Sequence, residues 1–228
     1  MDSESTVKIV IFFKRKRGMS VEGFQRHWRT NHASIVVKLP GLKRYKQSHV
    51  LASAYRDGEP LYDAVAESYF ESTQAMRELA RTPAYAAVLA DEPNFIDGPT
   101  MKSIITDEIV LKDAPLSEGA VKSIDFLRRK EGMSVDQFQE YWRETHGPMR
   151  RASSAMRRYV QSHTRRTGYN DGRTPAYDGV SMAWFDSADA LQAAAAAPAS
   201  AAIEADLNNF VTCDRTPSLL TTELIILA

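Results

Sequence analysis

A single cysteine in 228 residues, Cys213, rules out an intrachain disulfide and fits a reducing compartment. Neither sign of charge is in excess, since 29 Lys and Arg balance 29 Asp and Glu. No strong field is therefore available to recruit nucleic acid or an anionic membrane. No stretch approaches the roughly 20 apolar residues that a membrane span needs. Near the start a short apolar run, Ile9–Phe13, precedes its basic residues instead of following them, so a secretory signal is not expected. Gly-rich phosphate loops, Ser-centred nucleophile elbows, zinc-finger spacings and HxH or HExxH pairs are all missing. The expected class is a globular protein of the cytoplasm with no nucleic-acid or membrane partner.

What the chain does have is one sequence written twice. Residues 7–112 reappear as 121–227, most clearly as GMSVEGFQRHWRTNH (Gly18–His32) against GMSVDQFQEYWRETH (Gly132–His146). Thirteen residues further on, Tyr45, Gln47, Ser48 and His49 match Tyr159, Gln161, Ser162 and His163. Four of the five histidines fall in matched positions. His27 faces Tyr141 and reads as a surface residue, and Cys213 faces Gly98 and reads as inert. Such self-similarity predicts two domains, 1–113 and 114–228, joined by the polar segment 113–119.

Within each copy the order of elements is legible. Lys8–Lys14 is β-branched and aromatic and reads as a strand ending in a basic turn, Arg15–Gly18, expected to be a solvated loop. Ser20 and Ser134 suit helix N-caps. Val21, Phe24, Trp28 and His32 then follow at helical spacing on one face. Along 42–53, Tyr45, Gln47 and His49 alternate onto one strand face. Asp57-Gly58 marks a turn into a returning strand, Tyr62–Phe70, matched by Tyr177–Phe185. Ser72 and Ser187 open a second helix that Pro83 and Pro198 kink or split. Strands over 103–111 and 218–227 close the copies. Strand–helix–strand–strand–helix–strand is the ferredoxin-like order. The fold class expected is α+β: two tandem ferredoxin-like domains whose sheets meet face to face in an intramolecular α/β-barrel with outer helices. A monomer with pseudo-twofold symmetry, or a homodimer, would satisfy this arrangement.

Phe24, the aromatic-Trp pairs at 27–28 and 141–142, His32 and His146, and the Arg-Tyr-x-Gln-Ser-His strand resemble the EthD family of the dimeric α/β-barrel superfamily. The tail Asn94-Phe95-Ile96-Asp97, followed by Thr106-Asp107-Glu108, resembles the family's C-terminal pattern, although Thr212 stands in the second copy where Asp97 stands in the first. The resemblance implies a ligand cleft between sheet and helices. It spans isomerases, cyclases and dehydratases, cofactor-free monooxygenases, haem enzymes and plain binding proteins, among which fold does not choose.

If helix and strand faces meet, Trp28, His32, Tyr45 and His49 converge in one cleft, and Trp142, His146, Tyr159 and His163 in a second. The expected catalytic groups are His32, His49 and Tyr45 with His146, His163 and Tyr159: an imidazole takes a proton, and the other imidazole or the phenol donates one or holds a developing oxyanion. Phe24, Trp28, Gln47 and Asp97, with Phe138, Trp142 and Gln161, are expected to bind substrate. Each of these residues has a plainer reading as a cap, a strand-end bond or core. No cofactor is expected, because such proton transfers need none, and no metal, because the histidines lack ligand spacing; a divalent ion held by two histidines and Asp97, or haem on His32 or His49, is a lesser alternative. The leading function is a cofactor-independent lyase, dehydratase or isomerase of catabolism or secondary metabolism, acting on an aromatic, polyketide-like or lactone substrate. The alternatives are a non-catalytic small-molecule carrier and a cofactor-free oxygenase. The first copy, with Asp97 and the Pro40-Gly41 turn, is expected to hold the fuller site.

Overall fold

The computed structural model describes residues 6–56, 58–212 and 217–228. Cys213, and Asp57 of the expected Asp57-Gly58 turn, lie outside them. The first copy runs β1 (Val7–Phe13), α1 (Val21–His27), α2 (Ala33–Val36), β2 (Leu42–Val50), β3 (Ala64–Phe70), α3 (Thr73–Glu78), α4 (Pro83–Phe95) and β4 (Lys102–Asp113). The second repeats it as β5 (Val121–Leu127), α5 (Val135–Tyr141), α6 (Gly147–Arg151), β6 (Met156–Thr164), β7 (Gly179–Phe185), α7 (Ala188–Ala196), α8 (Pro198–Phe210) and β8 (Ser218–Leu227). The fold is α+β, two tandem ferredoxin-like repeats with antiparallel strands. Two compact units form, Met1–Ile105 with Glu223–Ala228, and Thr106–Thr222. The last strand of each repeat thus begins in one unit and ends in the other. No helix of the described residues is long and apolar enough to cross a membrane.

In the first unit β3 lies between β1 and β2, with Ile9 opposite Ser68, Ile11 opposite Ala66, and Tyr45 opposite Ser68. Period-two geometry then sends Ile9, Ile11, Phe13, Ala66, Ser68, Phe70, Tyr45, Gln47 and His49 to one face. Lys8, Val10, Phe12, Val65, Glu67 and Tyr69 take the other face, where Lys8 and Glu67 pair at 2.6 Å. Both faces are buried, which is why β-branched and aromatic residues fill these strands instead of alternating cleanly with polar ones. The first face carries the core, with Phe24, Trp28 and Phe95 against Phe13.

Local signals act where the sequence places them. Ser20 and Ser134 cap α1 and α5, the latter in a full capping box with Gln137. The prolines split the second helix: Pro83 and Pro198 each sit at the first turn of a new one, where a missing N–H costs nothing. Two expectations need correction. Arg15 is no solvated loop residue, because its guanidinium reaches Asp63 at 2.5 Å and Glu59 at 2.7 Å, and Arg129 pairs with Asp178 in the same way. The helix after Phe24 is also not a plain α-helix. Trp28–His32 and Trp142–His146 are single π-turns.

Gly179 shows how tightly the second copy packs. A Cβ there would run into the Trp142 ring and lie 3.0 Å from the Ser162 carbonyl oxygen, whereas the first copy carries Ala64 at the matching place. Overpacking a closed core costs about 1–3 kcal/mol. Gly179→Ala is expected to lower the unfolding free energy by about that amount, read as a lower urea midpoint at unchanged slope. An unchanged midpoint would show that Trp142 can move aside freely.

Candidate functional site

Each π-turn is stapled by a glutamine from the neighbouring strand. The Ala33 N–H closes onto the Trp28 carbonyl five residues back, and Gln47 Nε2 donates to the same oxygen at 2.9 Å. Gln161 does the same to Trp142 at 2.9 Å. A side chain feeding the helix ladder is a recognised cause of such widening, and π-turns gather at functional sites.

The staple belongs to a network. Trp28 Nε1 donates to Tyr45 Oη at 3.1 Å, and Gln47 Nε2 donates to the same oxygen at 3.0 Å. Tyr45 therefore accepts twice, and its own O–H remains to donate. Burial pushes the phenol up to about 12, outweighing the two bonds that pull it down, so it stays protonated at neutral pH. His49 Nε2 bonds to Gln47 Oε1 at 3.0 Å while its ring packs 4.5 Å from that of Trp28. Burial, helped by the charge of Arg29, lowers His49 to about 4. His49 is thus a neutral, committed support for Gln47.

A cavity of about 420 Å³ opens between the first sheet and its helices. Trp28, His32 and Tyr45 line it, with Ile9, Ile11, Val36, Phe70, Met76 and Tyr85 making an apolar wall. Of the other residues expected here, Phe24 is core against Phe13 and Phe95. Gln47 and His49 stand one layer behind Tyr45 and Trp28. Asp97 is not among the lining residues, and its carboxylate lies 3.6 Å from the highly exposed Arg17.

His32 is the group with chemistry to offer. Its Nδ1 lies 2.9 Å from Asp91 Oδ2. Burial pushes the Asp91 carboxyl up, but the bonds from Asn94, His32 and His27 outweigh it and hold the group below its ordinary range. An ionised carboxylate only accepts, so Nδ1 carries the proton and Nε2 is the basic nitrogen left to meet a ligand. Burial lowers the His32 pKa against the opposing pull of Asp91, which keeps the ring neutral and able to act as a base. His27, expected at the surface, is half-buried and shares the carboxylate, with Nε2 3.0 Å from Asp91 Oδ1. Glu92, the next residue, also lines the cavity, and burial beside Asp91 raises its pKa. The sequence reading missed Asp91 and Glu92. Asp91 was within its reach, because Asp206 occupies the matched position.

In the second copy His146 Nδ1 lies 2.9 Å from Asp206 Oδ2, and Tyr141 Oη donates to Asp206 at 2.7 Å in the place of His27. Trp142, Tyr159, Gln161 and His163 repeat the network at 3.2, 3.2 and 2.8 Å. Burial and Arg143 lower His163 to about 3. Phe138 is core against Trp142 and Phe210. Among the described residues no group of three His, Cys, Asp or Glu side chains is placed to hold a metal ion.

The sequence model of the EthD domain matches residues 16–99 and again 130–214. No curated protein matches the chain. Among solved structures, an anthrone oxidase-like protein superposes with a TM-score of 0.65 at 11% identity, covering 98% of this chain and 94% of its own. A candidate monooxygenase of Fusobacterium nucleatum gives 0.61 at 10% identity over 97% and 93%. A chlorite dismutase variant of Candidatus Nitrospira defluvii gives 0.56 at 9% over 97% and 92%. At these identities the likeness is one of fold.

Proposed function

The chain belongs to the EthD-domain family, and on that premise we propose that its first copy transfers protons on a flat, carbonyl-bearing aromatic, polyketide-like or lactone substrate. The observation that carries this reading is the His32–Asp91 pair at the wall of an apolar cavity. His32 Nε2 takes a proton from a carbon next to the carbonyl, and the Tyr45 O–H donates to the enolate oxygen. Returning the proton to another carbon completes an isomerisation. Its departure with a hydroxyl group as water completes a dehydration. Each outcome balances without an external oxidant. A cavity of about 420 Å³ lies at the small end of ordinary ligand sites, which fits two or three fused rings. The single cysteine fits a cytoplasmic setting.

A second reading starts from the same deprotonation and lets molecular oxygen react with the resulting carbanion. The descriptions of two fold relatives as oxidase-like and as a candidate monooxygenase favour it. Mass spectrometry of small molecules carried by the native protein tests the shared premise. A carbonyl-bearing aromatic or polyketide-like compound is the expected find, and a nucleotide or sugar phosphate would sink both readings. Incubating that compound with and without oxygen separates them: anaerobic turnover supports isomerase or dehydratase chemistry, oxygen-dependent turnover the second reading. Retention without any product would mark a carrier.

A further inference from the structure

The two copies keep the same Trp–Tyr–Gln–His network and the same His–Asp pair, yet differ in what faces them. Where the first copy puts Ile9, Ile11 and Val36 on the cavity wall, the repeat puts Ser123, Asp125 and Arg150. These side chains are bonded to one another. Arg150 Nη2 lies 3.0 Å from Asp125 Oδ2, and both side chains are largely buried, at 17% and 15% exposure. Ser218 Oγ donates to Asp125 Oδ1 at 2.7 Å. The Arg150 guanidinium sits 5.7 Å from the centre of the Tyr159 ring, the ring whose counterpart Tyr45 lines the first cavity. Glu92, on the first cavity's wall, is replaced by Leu207. The second copy has therefore exchanged an apolar wall and one carboxyl for an ion pair set over the tyrosine.

We propose that the copies have divided their labour: the first takes the ligand, and the second is a closed copy whose Arg150–Asp125 pair fills the volume that Val36 and Ile11 leave open. The inference rests on reading the first cavity as the ligand site. An apolar ligand entering the second site would have to part the pair and strand a charge in a poorly solvated place, which a flat ring cannot compensate. The tight packing of Gly147, where a Cβ would meet Leu111 Cδ1 at 2.7 Å and Gln161 Nε2 at 2.9 Å, adds to the closure. The matching residue of the first copy is Ala33.

Xenon enters apolar cavities without needing any chemistry from them, so crystals of the full chain under xenon pressure test the division directly. In the parent protein xenon is expected beside Trp28 and Tyr45 and not beside Trp142 and Tyr159. Removing the plug with Asp125→Ile and Arg150→Val is expected to raise the count from one site to two. Transplanting it with Ile11→Asp and Val36→Arg is expected to abolish the first. Xenon beside Trp142 in the parent, or in neither copy, overturns the proposal. The parent crystal alone decides if a variant fails to fold. Because occupancy is independent of turnover, failure of the proton-transfer reading leaves this result untouched, and the reverse also holds.

Discussion

Between pH 6.5 and pH 4 the protein is expected to lose several kcal/mol of stability, chiefly through two buried histidines. His49 and His163 are buried beside Trp28 and Trp142 and are lowered to about 4 and about 3. In the unfolded chain each titrates near its ordinary value of about 6.5. As pH falls through 6.5 the unfolded state takes up protons that the folded state refuses, so stability is complete above that value and drains away below it. At about 1.4 kcal/mol per pH unit, the window down to about 4 is worth about 3 kcal/mol for each ring. That is a large share of the ordinary stability of about 5–15 kcal/mol. His32 and His146 are lowered too, mainly by burial, and act in the same direction. Urea unfolding followed by tryptophan fluorescence at pH 7, 6, 5 and 4.5 measures the effect. The midpoint is expected to fall steadily, and His49→Gln with His163→Gln to flatten the slope. A midpoint constant from pH 7 to 4.5 would mean that the folded state charges these rings freely, against their burial.

The fold was legible because the chain repeats itself and because each copy punctuates its elements with residues of fixed physical meaning. Ser20 and Ser134 cap helices, Pro83 and Pro198 start new ones, and β-branched runs make strands buried on both faces. Helical spacing brought Trp28 and His32 to one face, and strand alternation brought Tyr45 in line with Gln47. The cavity holds Trp28, His32 and Tyr45 together as that reasoning expects. Alternation also put His49 on the correct face but could not say how far along it the cavity extends. Two residues past Gln47, the strand has carried His49 behind the Trp28 ring, where it props the network instead of meeting a ligand.

The rest required tertiary information. Nothing in Trp28–His32 distinguishes a π-turn from an α-turn, because the cause lies in Gln47, far along the chain, donating to the Trp28 carbonyl. Asp91 sits on a helix with no clean apolar stripe, so periodicity could not aim it at His32. The signal that would have found it was the repeat, since Asp91 and Asp206 match as the histidines do. The same comparison, applied to differences, would have exposed Val36 against Arg150 and Ile11 against Asp125. Asp97 against Thr212 is also a difference between the copies, yet Asp97 is not among the residues lining the cavity and lies 3.6 Å from Arg17. Pairs of substitutions that create a charge couple say more about a site than a single lost carboxylate.

On the compound identified as substrate, His32→Gln is expected to lower kcat by about 10²–10⁴ with little change in KM, the range for a lost general base. Glutamine keeps a polar side chain of similar reach but has no basic nitrogen, so binding survives and proton transfer does not. Asp91→Asn is expected near the lower end, about a hundredfold, for a different reason. The carboxylate fixes the proton on His32 Nδ1 and leaves Nε2 free. An amide presents its own N–H there, which favours the tautomer with the proton on Nε2 and turns the base into a donor. The pH profile separates positioning from mere damage. Asp91 raises the His32 pKa while burial lowers it, so removing the carboxylate drops that pKa further. The acid limb of kcat/KM for the residual activity should then move to lower pH. A structural lesion would reduce activity without moving the limb. If both variants kept kcat within about twofold of the parent, far below the range a general base supplies, His32 would be a buried histidine satisfied by a neighbour, and the cavity a place to hold a molecule without changing it.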